Sequence, residues 1–268
     1  MEEQIHFNNH FGEKLAATLH LPKSPNGVGV VLGHCFTCSR HTGILRQLAG
    51  ELSREGFVAL RFDFSGNGQS QGTFDESTYS KQISEMQTAV EIITARGAEW
   101  IGLAGHSMGG LIAFLTAVQT DSVKAVCALA SRLTGIRAID FLSREQRASL
   151  QRTGEVFFSS RGRSLKLTEK FFNDAGSFDP ANLLKTFNKP LMVVHGDMDE
   201  IIPVEEAYKV FESVLEVHGF TTVPAGKVIK VVPSVEARQK SVELRKAPLF
   251  VPRPDDRIIT QIIPLLYA

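Results

Sequence analysis

Cysteine is scarce in this sequence, with three in 268 residues, and neither sign of charge predominates, since 29 Lys and Arg balance 29 Asp and Glu. Three cysteines are too few for a disulfide-rich scaffold, so the composition favours a reducing compartment. A chain without net charge also lacks the basic excess that a broad nucleic-acid interface requires. We therefore expect a cytoplasmic protein that has no nucleic-acid partner.

Long hydrophobic runs are missing as well. The sequence begins with acidic residues at positions 2 and 3 and has no apolar stretch typical of a secretory signal. Its longest apolar stretches, such as residues 28–32, are far too short to cross a bilayer. Apolar residues make up 43% of a chain whose length suits one large domain. These features predict a single hydrophobic core and no membrane association.

Strand-like and helix-like segments alternate along most of the chain. Predicted strands cover residues 4–7, 14–21, 28–32, 58–62, 100–104, 123–129, 191–194 and 220–223, and predicted helices cover 43–54, 83–93, 111–119 and 203–215. The first two strands are expected to form a hairpin. The alternation that follows is typical of an α/β fold, with a mostly parallel, twisted sheet that helices cover on both faces.

One segment interrupts this alternation. About sixty residues separate the strands at 123–129 and 191–194, which is too many for a single crossover. Residues 131–170 contain nine Lys or Arg against four Asp or Glu, and phenylalanine pairs stand at 157–158 and 171–172. We interpret 131–189 as an inserted lid, basic outside and aromatic underneath, on a core of residues 1–130 and 190–268. The tail after Ala225 has no clear period.

The strongest chemical signal is Gly-His-Ser-Met-Gly at residues 105–109. It follows a predicted strand and precedes a predicted helix, the context of a nucleophile elbow. Such a turn holds the serine in a strained conformation, and small neighbours let strand and helix approach closely. Ser107 is therefore the candidate nucleophile for acyl transfer.

Acyl transfer also needs donors for an oxyanion. The amide of Met108, the residue after the serine, is one candidate. The second donor is expected in the loop after an earlier strand, where Gly-His-Cys-Phe stands at 33–36. The amide of Phe36 or that of Cys35 is the candidate there.

A general base and its acid partner are expected after the serine in the chain. The segment His-Gly-Asp-Met-Asp at 195–199 follows a predicted strand, so Asp197 or Asp199 could supply the acid. His218 is the only histidine further on. It stands between the predicted helix and the strand at 220–223, whereas the base should follow that strand. A helix-capping role for His218 competes with a catalytic one.

A rival site lies at residues 34–41. Cys35 and Cys38 form a C-x-x-C motif, with His34 and His41 on either side. These four groups could bind zinc, or the two thiols could carry out redox chemistry. Ligands so close in sequence seldom close a tetrahedron alone, and a second cysteine pair is missing. We therefore expect no metal here.

Taken together, these segments resemble the α/β-hydrolase fold and, within it, the bacterial cinnamoyl/feruloyl esterases and related carboxylesterases. The resemblance covers roughly residues 10–224 and rests on the motifs at 33–36, 61–70, 105–110 and 195–203. It implies that Asp199 is the acid, that the amide of Phe36 is the second oxyanion donor, and that the insertion is the family's lid. The motif at 34–38 is also similar to the hydrolase half of proteins fused to an OsmC-like domain.

The sequence departs from this family where the family's histidine should stand. The corresponding stretch, residues 223–228, contains none. The leading hypothesis is a serine esterase with Ser107, Asp199 and His218 as its triad, Phe36 and Met108 as oxyanion donors, and no metal or organic cofactor. Its partner is a small-molecule ester; a homodimer is one option for an oligomeric state that the sequence does not determine. The alternative is a catalytically impaired scaffold that acts as a binding protein.

Overall fold

Eight strands form the central sheet in the computed structural model, which describes residues 1–134, 138–225, 228–234 and 262–265. The strands are β1 (Glu2–Asn8), β2 (Lys14–His20), β3 (Val28–Gly33), β4 (Val58–Phe62), β5 (Trp100–His106), β6 (Val123–Leu129), β7 (Glu155–Ser160), β8 (Arg163–Thr168), β9 (Leu191–Gly196), β10 (Phe220–Ala225), β11 (Val228–Pro233) and β12 (Ile262–Leu265). The helices are α1 (Gly43–Arg54), α2 (Tyr79–Ala95), α3 (Met108–Gln119), α4 (Arg144–Thr153), α5 (Glu169–Gly176), α6 (Pro180–Thr186) and α7 (Glu205–Val217).

The strand order of the central sheet is β1-β2-β4-β3-β5-β6-β9-β12. The first hairpin is antiparallel and joins β4 in the antiparallel sense, whereas every pairing from β4 to β12 is parallel. The expected mostly parallel α/β sheet is therefore confirmed. Parallel strands bring their carboxyl ends to one edge, and the ends of β3, β5 and β9 carry the predicted functional residues.

Successive residues of the inner strands point to opposite faces of the sheet, so they contribute to two separate apolar clusters. Val31, Leu60 and Leu103 join the larger cluster, which includes buried residues of α2 and α3. The neighbours of these residues along the strands, such as Leu32, pack with Leu45 of α1 in the smaller cluster. Helices thus cover both faces of the sheet. No helix in the described part of the chain is both long and apolar enough to traverse a bilayer.

The segment between β6 and β9 adds no strand to the central sheet. It contains a 3₁₀ turn at Ala138–Phe141, α4, the separate β7–β8 hairpin, α5 and α6. Phe158 and Phe172 pack against the larger cluster and Phe171 is buried within it, whereas Phe157 is 57% exposed. The interpretation of this segment as a lid stays a prediction.

The end of the chain differs from the expected arrangement. The predicted strand at 220–223 forms as β10, but β10 pairs with β11 in a separate two-stranded sheet, and β12 takes the position beside β9. Pairing between β10 and β11 is local, because only two residues separate them, and therefore it costs less loop entropy than a long-range strand pairing. Most of the tail after Ala225 lies outside the described residues.

Candidate functional site

Ser107 occupies a tight turn between β5 and α3. Its backbone has φ 55° and ψ −119°, a region that side-chain-bearing residues rarely adopt. The Ser107 amide donates to the Leu129 carbonyl at 2.8 Å, and the buried Ser131 hydroxyl donates to the Ser107 carbonyl at 2.7 Å. These bonds fix the strained peptide from the end of β6. Sequence reasoning did not identify Ser131.

Glycines let α3 approach the strands closely. A Cβ on Gly105 would collide with the carbonyl of Gly109, and a Cβ on Gly109 would collide with the carbonyls of Gly33 and His34. The elbow therefore packs directly against the start of the loop that leaves β3. Met108 is the first residue of α3, so its amide has no acceptor within the helix.

A buried imidazole orients the peptide between Cys35 and Phe36. His34 is fully buried, its Nδ1 donates to the Cys35 carbonyl at 2.7 Å, and its Nε2 accepts from the Phe64 amide at 3.1 Å. The Cys38 amide donates to the same Cys35 carbonyl at 3.1 Å. In a trans peptide the carbonyl and the next amide point in opposite directions, so the Phe36 N–H points away from these groups. Among described residues it has no acceptor, which leaves it free for a ligand.

Burial lowers the pKa of His34, which keeps its imidazole neutral. A neutral ring has one donor and one acceptor nitrogen, and both are used here. The loop that His34 holds is anchored further along by a buried ion pair. Asp63 accepts from the amide of Arg40 at 2.5 Å, from the Arg40 guanidinium, and from the amide of Gln69 at 2.9 Å. The motif at 61–70 contributes to the family resemblance, and in the structure its Asp63 fixes this loop.

Ser107, Met108 and Phe36 line one cavity of about 340 Å³. The cavity is mainly apolar, and six aromatic rings contribute to it: Phe36, Tyr79, Phe141, Phe158, Phe171 and Phe172. The rings of Phe36 and Phe158 are stacked, with centroids 5.9 Å apart. Burial raises the pKa of Tyr79 to about 12, so its phenol remains protonated. Among the described lining residues Arg132 is the only charged one, and its Nε lies 3.3 Å from the Glu206 carboxylate.

Asp199 lies in the loop between β9 and α7. One of its oxygens, Oδ1, accepts from the amides of Ile201 and Ile202, each at 2.9 Å. His195 Nε2 donates to the Ile202 carbonyl at 2.6 Å, and the other carboxylate oxygen, Oδ2, lies 3.7 Å from that nitrogen. Asp197 is exposed, whereas Asp199 is partly buried. Of the two candidate acids, Asp199 is thus the one held by the loop.

The elbow and Asp199 lie at the same edge of the sheet. Burial lowers the pKa of His106, the residue before Ser107, while the negative charge of Asp199 raises it and the charge of Arg161 lowers it. The cavity is also lined by Ile201 and Ile202, which Asp199 holds. The structure therefore brings Ser107, Met108, Phe36 and the Asp199 loop together.

The structure does not bring His218 to this group. His218 is the exposed C-cap of α7, and its amide donates to the Leu215 carbonyl at 3.1 Å. Helix α7 begins just after the cavity-lining Ile202 and has 13 residues, which carries His218 about 20 Å from the helix start. All eight histidines are described, and none hydrogen-bonds to Ser107.

The rival site at 34–41 forms a disulfide between Cys35 and Cys38. Sulfurs bonded to each other are not zinc thiolates, and both nitrogens of His34 are engaged in hydrogen bonds. In the described ranges, no cluster of three or more His, Cys, Asp or Glu has a metal-binding arrangement. The alternative of a zinc site therefore does not fit these residues, and the alternative of a redox site stays a prediction.

Comparisons with known families and proteins bear on the family and the fold. Residues 29–177 match the Hydrolase_4 family, described as serine aminopeptidase, S33, and residues 198–231 match a GspD-like N0 domain. No curated protein matches the chain. The first match spans more than half of the sequence, whereas the second runs from the Asp199 loop through α7 and β10 into β11.

Solved structures with the same fold include several hydrolases. A putative hydrolase from Agrobacterium vitis S4 has a TM-score of 0.68 at 20% identity, covering 80% of this chain and 86% of its own. Est1E from Butyrivibrio proteoclasticus, solved with ferulic acid, has a TM-score of 0.66 at 25% identity, covering 78% and 85%. An esterase domain from Rhodothermus marinus has a TM-score of 0.59 at 25% identity, covering 80% and 83%.

These matches confirm the expected α/β-hydrolase fold and its likeness to esterases, while the likeness to OsmC-fused hydrolases stays a prediction. The chain belongs to the Hydrolase_4 family (serine aminopeptidase, S33) of α/β-hydrolases.

Proposed function

We propose that this α/β-hydrolase is a serine esterase that cleaves carboxylic esters through an acyl-enzyme. One observation carries the proposal: the strained Ser107 lines the same cavity as Phe36 and Met108, whose amides have no acceptor in the described structure. Two such amides can stabilise the negative charge that develops on a carbonyl oxygen during acyl transfer. No metal or organic cofactor takes part in this chemistry.

In the proposed reaction Ser107 Oγ attacks the ester carbonyl, and its proton passes to a base. The tetrahedral intermediate carries its charge on the oxygen beside the Phe36 and Met108 amides. Its collapse releases the alcohol and leaves the acyl group on Ser107. Water then attacks the acyl-enzyme and releases the carboxylic acid, restoring the Ser107 hydroxyl.

Among the described residues, the proposed site lacks a general base in contact with Ser107. Asp199 is the proposed acid partner, but His218 would have to leave its position at the end of α7 to connect Asp199 with Ser107. With no imidazole at Ser107, solvent water takes the proton instead. Oxyanion donors and substrate binding alone sustain a residual acceleration of about 10³–10⁴ over water. Turnover is therefore expected to be slow.

The walls of the cavity favour an ester with an apolar, aromatic acyl group. A volume of about 340 Å³ admits a substituted phenyl ring, and Phe36, Phe158 and Phe171 offer faces against which it can pack. Est1E, with a similar fold, has been solved with ferulic acid. Feruloyl or cinnamoyl esters are the proposed substrate class.

A second candidate function is favoured by the position of His218. A scaffold of this fold without a base at its serine would bind an aromatic ligand in the same cavity and release it unchanged. This protein would act as a binding protein for small aromatic molecules.

Hydrolysis of p-nitrophenyl butyrate and methyl ferulate by the wild type, Ser107→Ala and Ser84→Ala separates the two functions. Ser84 lies within α2, so its replacement is the matched control. The esterase proposal predicts hydrolysis that is lost in Ser107→Ala and retained in Ser84→Ala. Equal rates in all three would contradict it; saturable binding of ferulate without turnover would then support the binding protein.

A further inference from the structure

The Cys35–Cys38 disulfide encloses Phe36 and lies beside an arginine from a distant part of the chain. We propose that this disulfide is a thiol-exchange site for small anionic thiols, which approach through a basic cleft between the loop at 34–42 and the tip of the β7–β8 hairpin. The proposal concerns chemistry at the two sulfurs and stands apart from ester hydrolysis.

The cleft is a second cavity, of about 630 Å³, distinct from the one lined by Ser107. Cys38 reaches it from one side, and Arg161 and Arg163 reach it from the other, with His41 nearby. No carboxylate is found among the described residues that line it. Positive charge without a compensating acid makes the approach to the disulfide favourable for anions and unfavourable for cations.

The hairpin contacts the disulfide loop at consecutive positions. The ring of Phe36 stacks on Phe158, the hydroxyl of Thr37 hydrogen-bonds to that of Ser160 at 2.8 Å, and the Arg161 guanidinium donates to Cys38 Sγ at 3.2 Å. The arginine is thus held at one of the two sulfurs by the contacts that β7 makes just before the turn.

The backbone conformation of Arg161 is unfavourable for arginine, which indicates that its side chain is the reason for an arginine at this position. It forms the turn between β7 and β8 with Gly162, and both residues have positive φ, 52° and 73°. Two-residue turns of this kind strongly prefer Asn-Gly. Arginine is poorly suited to this backbone position, while its guanidinium makes the contact with Cys38.

The proposed exchange has two steps, and each one breaks one sulfur–sulfur bond and forms another. A thiolate that enters the cleft attacks Sγ of Cys38, the cysteine that lines it, and the sulfur–sulfur bond breaks, releasing Cys35 as a thiolate. A second thiolate attacks the mixed disulfide on Cys38, which releases the Cys38 thiolate beside Arg161 and a small-molecule disulfide. Both protein thiolates can take up protons from solvent. Two thiols are oxidised and one disulfide is reduced. The Arg161 cation speeds the first step because it attracts the incoming thiolate, and it speeds the second because it stabilises the leaving Cys38 thiolate.

The test follows reduction of the oxidised protein by 3-mercaptopropionate, which is anionic, and by cysteamine, which is cationic. Free thiols are trapped by alkylation and counted by intact mass, and each rate is divided by the rate of the same thiol with a small neutral disulfide. We expect the anionic thiol to be about tenfold faster on this scale. Oxidised protein should expose one alkylatable thiol, Cys127, after unfolding, and reduced protein three.

Three variants separate the steps. Arg161→Asn keeps a favourable turn and should slow reduction by both thiols, by about tenfold for the anionic one. Arg163 lines the cleft but has no hydrogen bond to a sulfur, so Arg163→Gln should lower only the preference for the anionic thiol. Arg152→Gln, an exposed arginine of α4, removes the same charge elsewhere in the insertion and should change nothing. Three results would each overturn the proposal. The wild type could react at equal normalised rates with both thiols, or Arg161→Asn could be reduced as fast as the wild type. The third is a count of three free thiols after air oxidation.

Discussion

Ser107 and Asp199 follow strands that are separated only by β6, yet the surroundings of the two side chains differ. Around Ser107, glycines hold the elbow in close contact with the loop after β3. The buried Ser131 hydroxyl fixes the Ser107 carbonyl, and the neutral His34 fixes the Cys35 carbonyl in that loop. Around Asp199, one carboxylate oxygen holds a loop in which Met198 is 84% exposed. The side proposed to bind the acyl group is thus built independently of the side proposed to activate the nucleophile.

The largest effect on stability is expected at Asp63, on the Ser107 side. Asp63→Asn removes one member of a fully buried ion pair and leaves the Arg40 guanidinium without a carboxylate. Such a loss costs about 3–5 kcal/mol in the free energy of unfolding, measured by urea denaturation. Glu51→Gln, which breaks an exposed pair with Arg54, should cost at most about 1 kcal/mol. Equal losses of unfolding free energy in the two variants would contradict the conclusion that the buried Asp63–Arg40 pair anchors this loop.

A smaller effect is expected for Gly109→Ala. Its Cβ would meet the carbonyls of Gly33 and His34, so the elbow must shift away from β3. We expect a loss of about 1–3 kcal/mol in unfolding free energy, and a loss of esterase activity beyond what the stability change explains. Gly50→Ala in α1 is the control, because the nearest neighbour of its Cβ is a flexible arginine end at 3.9 Å, and it should be neutral or stabilising. A Gly109→Ala variant with wild-type stability and activity would refute the close packing.

The pH dependence of stability should report the neutral His34. Burial lowers the pKa of His34 in the folded protein below the unfolded value of about 6.5, so folding disfavours the protonated form. Its contribution is fully present above that value and is lost as pH falls from there toward the folded pKa, by at most about 1.4 kcal/mol per pH unit.

Urea denaturation between about pH 8 and about pH 5 measures this loss. His34→Asn should show a shallower decline than the wild type, because the buried titrating group is gone. Parallel curves for the two proteins would show that His34 does not control the decline.

The smallest effect is expected on the other side of the site. His218→Ala should leave kcat/KM for p-nitrophenyl esters unchanged, because His218 is exposed at the end of α7 and far from the cavity. The melting temperature should change little for the same reason. A large loss of activity would show that His218 reaches Ser107. The Asp199 side would then be built for catalysis as fully as the Ser107 side.

Sequence patterns predicted the first part of the fold well because its signals are local. Helix α1 and strands β4 and β6 have the predicted bounds, and the elbow motif lies in its expected strand–turn–helix context. The partner of β10 could not be predicted, because alternation along a strand does not specify which strand it pairs with. The same limit applies to Ser131 and to the contact between Arg161 and Cys38, since both join residues far apart in the chain.

The role of Ser107 as nucleophile is tested most directly by its covalent acylation. Without a base at Ser107, deacylation of the proposed acyl-enzyme is slow, so an activated p-nitrophenyl ester should leave a stable acyl group that mass spectrometry can locate. The account predicts one acyl group per chain, on Ser107, and none in Ser107→Ala. An unmodified Ser107 in a folded protein, or the same labelling in both proteins, would contradict it.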